Sequence, residues 1–440
     1  MLPSQPFAKF QETLHAIAQK LADHGYQCYV VGGAVRDHFL EKESLDIDLA
    51  TDASPKEVSK IFRHTIPTGI AHGTVTILYH NIPFEITTFR TDGKYEDARH
   101  PESVQFVQSI DEDLKRRDFT INAIAYHILD GEFYDPLGGI DAIQNKEITA
   151  IGVPAERFQE DLLRILRGVR FLAELKGFVL DEATAIAMHQ HAPGLHKISK
   201  ERITKEMKKL LTGAQASYAL EVAYNLGIWD GLFDELAFYH QKLILPEQTL
   251  WQTLLRAIDY TPQSMLHLRI AILLSALGEL ESASEAYQVI YRSAKLAEEL
   301  LVRYKVSNAL KQKVSHLIRY QELILLDLWS DADIRRWLSQ VKIEHVEEIV
   351  LLNKALYQAC GRAVYELEEF YQRVKNIIAQ DPPITIQQLA INGAELIEVG
   401  VPAGPRVGEF LQQLLELVLD DPEFNTKNNL LHATKFFMSI

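Results

Sequence analysis

The sequence has little cysteine and no long apolar run. Cys28 and Cys360 are the two cysteines among 440 residues. Two cysteines cannot form a disulfide framework, so a reducing compartment is expected. No apolar run approaches the roughly 20 residues that span a bilayer, and the opening MLPSQPFAKFQ lacks the basic and apolar regions of a signal peptide. The sequence therefore predicts a cytoplasmic protein without a membrane partner.

An excess of positive charge is also missing. The formal net charge is -15, which argues against a protein that coats nucleic acid through its overall charge. Binding of RNA needs only a local basic surface, however. The stretch 197–209 is such a candidate, although a solvated helix face is an equal explanation. Its basic residues are Lys197, Lys200, Arg202, Lys205, Lys208 and Lys209.

The stretch 29–50, YVVGGAVRDHFLEKESLDIDLA, predicts a strand, a glycine turn, a short helix and a second strand. Gly33 and its neighbour allow the backbone to approach a ligand and leave N–H groups free to bind an anion where the helix begins. Arg36 lies about one turn into that helix, where its guanidinium can bind a phosphate with two hydrogen bonds. This unit is a candidate phosphate-binding site.

The second strand carries two aspartates in the sequence Leu45-Asp46-Ile47-Asp48-Leu49. Residues two apart in a strand share a face, so Asp46 and Asp48 are expected side by side, with the three apolar residues in the core. Adjacent carboxylates raise each other's pKa unless a cation lies between them. A magnesium site for phosphoryl chemistry is the natural interpretation.

Two further stretches carry charged and polar residues. In RRDFTINA, Arg117 offers a planar fork to a phosphate, and Asp118 and Asn122 can hydrogen-bond ribose hydroxyls. From residue 155 onward the pattern is almost wholly helical. Asp161, Arg164, Arg167 and Arg170 recur every third residue, which predicts a stripe on one helix.

These motifs together resemble one family. GGAVRD, DIDLA, RRDFTINA, DPLGG (135–139) and EDLLR (160–164) occur in the order found in the bacterial class II tRNA nucleotidyltransferases, which comprise CCA-adding enzymes and poly(A) polymerases. The stretch 90–101, RTDGKYEDARHP, resembles the flexible loop of CCA-adding enzymes. NGAEL (392–396) and GPRVG (404–408) resemble the tail of the family, although Ala403 replaces its first proline.

The resemblance implies an α/β nucleotidyltransferase head of the DNA polymerase β type, followed by all-α neck, body and tail domains. The implied bounds are 1–145 for the head, 146–215 for the neck, 216–330 for the body and 331–440 for the tRNA-binding tail. The implied activity is template-independent addition of CCA to the 3′ end of tRNA from CTP and ATP, with release of pyrophosphate. A homodimer is left open.

The resemblance also implies the roles of the site residues. Asp46 and Asp48 are the catalytic residues and the ligands of Mg²⁺. Gly33, Arg36 and Arg117 bind the triphosphate. Asp161 and Arg164 read the base, and Arg167 and Arg170 reach phosphates or support that pair. The loop 90–101 is expected to reshape the pocket between C addition and A addition.

The chemistry of base reading follows from hydrogen-bonding capacity. Cytosine and adenine present an amino donor beside a ring-nitrogen acceptor, whereas guanine and uracil present the reverse order. A carboxylate only accepts and a guanidinium only donates, so Asp161 beside Arg164 fits C and A. Each buried polar group left unpaired costs about 1–3 kcal/mol, which gives strong selection against G and U.

Three alternatives stay open at this point. An A-adding enzyme of a split CC and A system, and a poly(A) polymerase, share the same motifs. The acidic composition and the absence of a basic C-terminal tail argue against the poly(A) polymerase. The third alternative is an inactive RNA-binding protein on the same scaffold, which the two intact aspartates disfavour.

Overall fold

The chain divides into two compact units, Met1–Ala237 and Phe238–Ile440. The computed structural model describes residues 6–92, 104–245, 247–280, 286–321, 323 and 326–439. Most of the loop expected at 90–101 lies outside these residues. The finer division into head, neck, body and tail stays a prediction.

The first unit contains a seven-stranded mixed sheet. The first nine strands of the chain are β1 Cys28–Val31, β2 Asp48–Thr51, β3 Thr65–Gly69, β4 Thr74–Tyr79, β5 Ile82–Thr88, β6 Arg90–Asp92, β7 Val104–Phe106, β8 Ala125–His127 and β9 Glu132–Tyr134. The strand order of the sheet is β3-β4-β5-β2-β1-β8-β9, in which β2 and β5 are the one parallel pair, and β6 pairs with β7 outside this sheet. The expected α/β head is confirmed.

Eleven described helices complete this unit, with a two-stranded parallel ladder of β10 Glu147–Ile148 and β11 Val179–Leu180. The helices are α1 Gln11–Ala22, α2 Gly33–Phe39, α3 Pro55–Ile61, α4 Ile110–Lys115, α5 Gly139–Asn145, α6 Pro154–Glu160, α7 Leu163–Glu174, α8 Glu182–His191, α9 Lys200–Leu211, α10 Ala216–Asn225 and α11 Asp234–Ala237.

Capping side chains fix where two of these helices begin. Ser54 forms a capping box with Glu57 at the start of α3, and Asp135 accepts hydrogen bonds from the backbone N–H groups of Gly139 and Ile140 at the start of α5.

The central strand pair β1 and β2 supports the site. Val30 and Leu49 are fully buried and face each other across the ladder. The predicted strand at 45–49 is wrong for its first three residues, because β2 begins only at Asp48. Leu45 is 72% exposed in the preceding loop, and Asp46 lies in that loop rather than on the strand beside Asp48. Ile47 is buried as expected.

The second unit is helical apart from the short ladder of β12 Leu243–Leu245 and β13 Gln248–Thr249. Its described helices are α12 Leu250–Asp259, α13 Leu266–Leu274, α14 Ala286–Arg303, α15 Asn308–Arg319, α16 Asp331–Val341, α17 Val346–Ala359, α18 Tyr365–Ala379, α19 Gly393–Glu398, α20 Pro405–Asp420 and α21 Lys427–Ser439. The NGAEL motif is a capping box at the start of α19, in which Asn392 and Glu395 each accept a hydrogen bond from the other's backbone N–H. None of the described helices is long and apolar enough to cross a membrane.

Candidate active site

One cleft of about 740 Å³ in the first unit is lined by every site residue predicted from the sequence. These residues are Gly33, Arg36, Asp46, Asp48, Arg117, Asp161, Arg164, Arg167 and Arg170. Motifs more than 130 positions apart in the chain therefore meet in one place. Glu85, Asp118 and Asn122 line the same cleft.

Asp48 is the first residue of β2 and lies between two strands. Its neighbours across the sheet are Val31 on β1 and Glu85 on β5. The carboxylate is exposed to the cleft, yet burial by its walls, together with the negative charges of Asp46 and Glu85, raises the pKa of Asp48 to about 6 against the opposing charge of Arg117. Asp48 is therefore a carboxylate whose ionised form a nearby positive charge would stabilise.

The glycine turn lies directly beside these aspartates. Gly32 has φ 74° and is the residue before α2 begins, so a residue with a side chain would be strained there. A Cβ at Gly32 would lie 3.3 Å from Nη1 of Arg117 and 3.9 Å from Oδ2 of Asp48. The backbone at Gly32 therefore lies close to both Asp48 and the predicted phosphate-binding arginine.

Arg36 extends from α2 into the cleft, where it is nearly buried and already paired. Its Nε and Nη2 donate to Oδ1 of Asp37 at 3.0 and 2.8 Å, and Nη1 donates to Oδ1 of Asn122 at 2.9 Å. The guanidinium also lies over the ring of Phe171, 5.4 Å from its centroid. These contacts hold the fork in one orientation.

Arg117 is held by a buried carboxylate, Asp113, which is 1% exposed in its side chain. Nη2 of Arg117 donates to Oδ2 of Asp113 at 3.0 Å, and Arg116 binds Oδ1 through Nε and Nη2 at 2.9 and 2.8 Å. Burial works against ionisation of Asp113, but Arg117 and Arg116 outweigh it and lower the pKa of this carboxyl. Asp113 is thus the anchor of two cleft arginines.

Asp118 and Arg167 form a second internal pair. Nη2 of Arg167 lies 2.8 Å from Oδ2 of Asp118, while Oδ1 accepts from the backbone N–H of Phe119 and from Asn122. Burial raises the pKa of Asp118, but the charge of Arg167 and these hydrogen bonds lower it further than burial raises it. This arrangement fixes Asn122, the residue that also binds Arg36.

The predicted stripe of one aspartate and three arginines on a single helix is wrong for the aspartate. Asp161 has an extended backbone, with φ -146° and ψ 103°, in the break between α6 and α7. Its Oδ1 accepts a hydrogen bond from the backbone N–H of Leu163 at 3.0 Å, which satisfies a donor in the first turn of α7. Arg164, Arg167 and Arg170 do lie on α7.

Asp161 and Arg164 line the same cleft but bind different partners. Oδ2 of Asp161 lies 2.7 Å from Nη2 of Arg202 on α9. Arg164 binds Oε2 of Glu160 at 2.5 Å through Nη1, and its Nη2 donates to the backbone oxygen of Arg116 at 3.1 Å. The two residues predicted to read the base are therefore held in place by residues outside the predicted set.

Arg170 completes the row on α7. Its Nη1 lies 2.9 Å from Oε2 of Glu206 on α9, and its Nε lies 3.6 Å from Oε1 of Glu174. Every predicted arginine thus has an acidic neighbour: Asp37, Asp113, Glu160, Asp118 and Glu206 serve Arg36, Arg117, Arg164, Arg167 and Arg170 in that order. Spacing along a helix could have indicated Glu160, which is four residues before Arg164, but no local signal indicates Glu206 or Arg202.

Comparisons with known proteins place these features in one family. Residues 28–149 match the model of the poly(A) polymerase head domain, 177–239 the "Probable RNA and SrmB-binding site of polymerase A", and 279–434 the tRNA nucleotidyltransferase domain 2.

Curated relatives match along nearly the whole chain. The CCA-adding enzyme of Bacillus cytotoxicus is 34% identical over 94% of this chain and 95% of its own, and that of Geobacillus stearothermophilus is 38% identical over 96% and 95%. The crystal structure of the Bacillus stearothermophilus CCA-adding enzyme in complex with CTP superposes with a TM-score of 0.74 at 33% identity and covers 98% of both chains. The chain belongs to the family of CCA-adding enzymes.

Proposed function

We propose that this protein adds C, C and A in sequence to the 3′ end of tRNA, using CTP and ATP without a nucleic-acid template. The observation that supports this proposal is that one cleft is lined by Asp46 and Asp48, by the Gly32–Gly33 turn, and by Asp161 and Arg164. An acidic pair for phosphoryl chemistry and a donor–acceptor pair for base selection are the two parts that such a polymerase needs. The family and the relatives named above support the same activity.

The acidic pair fits a divalent cation. Asp46 and Asp48 offer hard carboxylate oxygens, which Mg²⁺ prefers, and Mg²⁺ is commonly bound by one or two carboxylates together with substrate phosphates. The raised pKa of Asp48, caused by burial and by Asp46 and Glu85, is what a site built for a cation is expected to show. Asp46 and Asp48 would hold Mg²⁺, which would supply Lewis-acid chemistry for phosphoryl transfer.

The other cleft residues bind and orient the nucleotide. Arg117 and Arg36 present guanidinium donors beside the glycine turn, in the position suited to a triphosphate. The Asp161 carboxylate accepts a hydrogen bond from the amino group of cytosine or adenine, and Arg164 donates to the adjacent ring nitrogen. Arg164 also donates to the backbone oxygen of Arg116, the residue before Arg117, so one hydrogen bond links the base-reading arginine to the segment that carries a triphosphate-binding arginine.

The compartment proposed is the cytoplasm, where tRNA substrates occur. Cys28 and Cys360 are free thiols, and Cys28 is buried. Burial raises the pKa of both thiols, so they stay protonated and inert at neutral pH.

Product sequencing tests the proposed activity. The substrates are three tRNA transcripts, ending before the first C, after the second C, and after the terminal A. We expect CCA on the first, a single A on the second and no extension of the third. Addition restricted to the second transcript would identify an A-adding enzyme, and long A tails would identify a poly(A) polymerase.

A second prediction concerns magnesium and pH, read out by thermal unfolding rather than activity. Mg²⁺ is expected to raise the melting temperature at pH 7.5, because it relieves the repulsion around Asp48. The gain should shrink as the pH falls through about 6, where Asp48 takes up a proton and no longer serves as a ligand. An equal gain in the Asp48→Asn variant would contradict the assignment of this site.

A further inference from the structure

Asp161 has an unusual position for a residue that must read a base. It lies outside α7, at the C-terminal boundary of α6, so helical geometry does not by itself fix its side chain. One carboxylate oxygen, Oδ1, is held by the backbone N–H of Leu163 at 3.0 Å. The orientation of the carboxylate is complete only when Oδ2 is held as well.

Oδ2 is held by Arg202, which lies 41 residues further along the chain. Nη2 of Arg202 is 2.7 Å from this oxygen, and the two side chains are 26% and 18% exposed. Among the residues that the structure describes, Arg202 forms the ion pair with Asp161. Arg164, three residues from Asp161, is bound to Glu160 instead.

The packing of α9 presets the position of Arg202. α9 lies against α7 and buries Ile203, Met207 and Leu210. Glu206, one turn after Arg202, binds Arg170 of α7 at 2.9 Å. Two ion pairs therefore join α9 to the base-reading segment, and α9 supplies the basic partner of one and the acidic partner of the other. Together they fix which face of α9 packs against that segment.

We propose that Arg202 is a positioning residue that sets base specificity by holding the Asp161 carboxylate in the orientation that accepts the amino group of cytosine or adenine. The role rests on the proposed function. A carboxylate has about four lone-pair sites on two oxygens. With one site on each oxygen taken by Leu163 and Arg202, an acceptor remains in a fixed direction.

The proposal gives the basic stretch 197–209 a second purpose. Arg202 is turned to the cleft-lining aspartate, whereas Lys205, one turn later on α9, is exposed. A contact with tRNA and a role in base selection are thus separable on one helix. Loss of Lys205 can weaken tRNA binding, but it has no route to the orientation of Asp161.

The test is the ratio of kcat/KM for CTP to that for UTP on a tRNA ending before the first C. In Arg202→Met this ratio is expected to fall roughly 10- to 100-fold, because the carboxylate can rotate away from the amino group. Most of the change should be a higher KM for CTP, with tRNA affinity and melting temperature close to wild type. Arg202→Lys keeps the charge but loses the planar fork, so it should restore part of the selectivity.

Lys205→Met is the matched control, since it removes the same charge from the same helix. It is expected to keep the wild-type ratio whatever it does to tRNA affinity. Wild-type selectivity in a folded Arg202→Met would overturn the proposal, as would wild-type selectivity in Arg202→Ala if the methionine variant does not fold. If the wild-type protein adds no nucleotides, the proposed function fails and the role of Arg202 with it, whereas normal CCA addition with unchanged variants refutes the role of Arg202 alone.

Discussion

Asp48→Asn is expected to abolish nucleotide addition and at the same time to stabilise the folded protein. The rate should fall on the order of 10³-fold or more, because the variant removes a carboxylate that the proposed function uses as a ligand of Mg²⁺ at the reacting centre. The folded protein should become more stable, because the wild-type carboxylate is ionised at neutral pH although it is partly buried and lies near the negative charges of Asp46 and Glu85. Incorporation of labelled CMP and thermal unfolding without metal measure the two effects.

The gain in stability depends on pH in a defined direction. The pKa of Asp48 is about 6 in the folded protein, above the ordinary value of 3.8, so the ionised form destabilises the fold. This destabilisation is fully present above about pH 6 and disappears as the pH falls towards 3.8, where both states are protonated. The difference in melting temperature between Asp48→Asn and wild type should therefore be largest above pH 6 and vanish near pH 4.

A matched control separates this effect from a general loss of negative charge. Glu132 is an exposed acid on β9, in the same sheet, and does not line the cleft. Glu132→Gln is expected to leave both the rate and the pH profile of stability unchanged. An Asp48→Asn variant that is inactive but less stable than wild type at pH 7.5 would show that Asp48 has a structural role instead.

Local sequence patterns predicted the centre of the site well. β1, the glycine turn and α2 follow one another directly, so local geometry sets the position of Arg36 relative to Gly33. Asp48 comes later in the chain and is placed beside them by the pairing of β2 with β1. Periodicity was less reliable at the boundaries. Leu45 fits the alternating pattern but lies in the loop before β2, since pairing with β1 and β5 begins only at Asp48.

Ion-pair partners could not be predicted in the same way. A three-residue spacing suggested that Asp161 and Arg164 share a helix and contact each other. The chain instead breaks at Asp161, and tertiary packing supplies Arg202 from α9 as its partner. Arg164 pairs with Glu160, a local neighbour four residues earlier that spacing could have indicated. Sequence spacing constrains neighbours on one helix, whereas the choice of partner between helices depends on how those helices pack.

The double variant Asp161→Ala with Arg164→Ala tests whether the protein itself serves as the template. The fold should tolerate it, because Glu160 stays paired with Arg157, whose Nη1 lies 2.9 Å from Oε2 of Glu160. Loss of the hydrogen bond from Leu163 to Asp161 should cost about 1 kcal/mol, a typical value for a helix cap.

Selectivity should nevertheless collapse in this double variant. Both the acceptor for the amino group and the donor for the ring nitrogen are gone, so CTP and UTP differ little in the hydrogen bonds they can form. We expect the preference for CTP over UTP to fall on the order of 10²-fold or more, since two unpaired groups no longer penalise the wrong base. Single-nucleotide incorporation with each of the four nucleotides measures this preference.

Arg157→Ala is the control. It removes a neighbouring arginine that does not line the cleft and leaves Glu160 paired with Arg164, so it should keep wild-type selectivity. A double variant that still adds only C and then A would mean that another part of the protein, or the tRNA end itself, chooses the base.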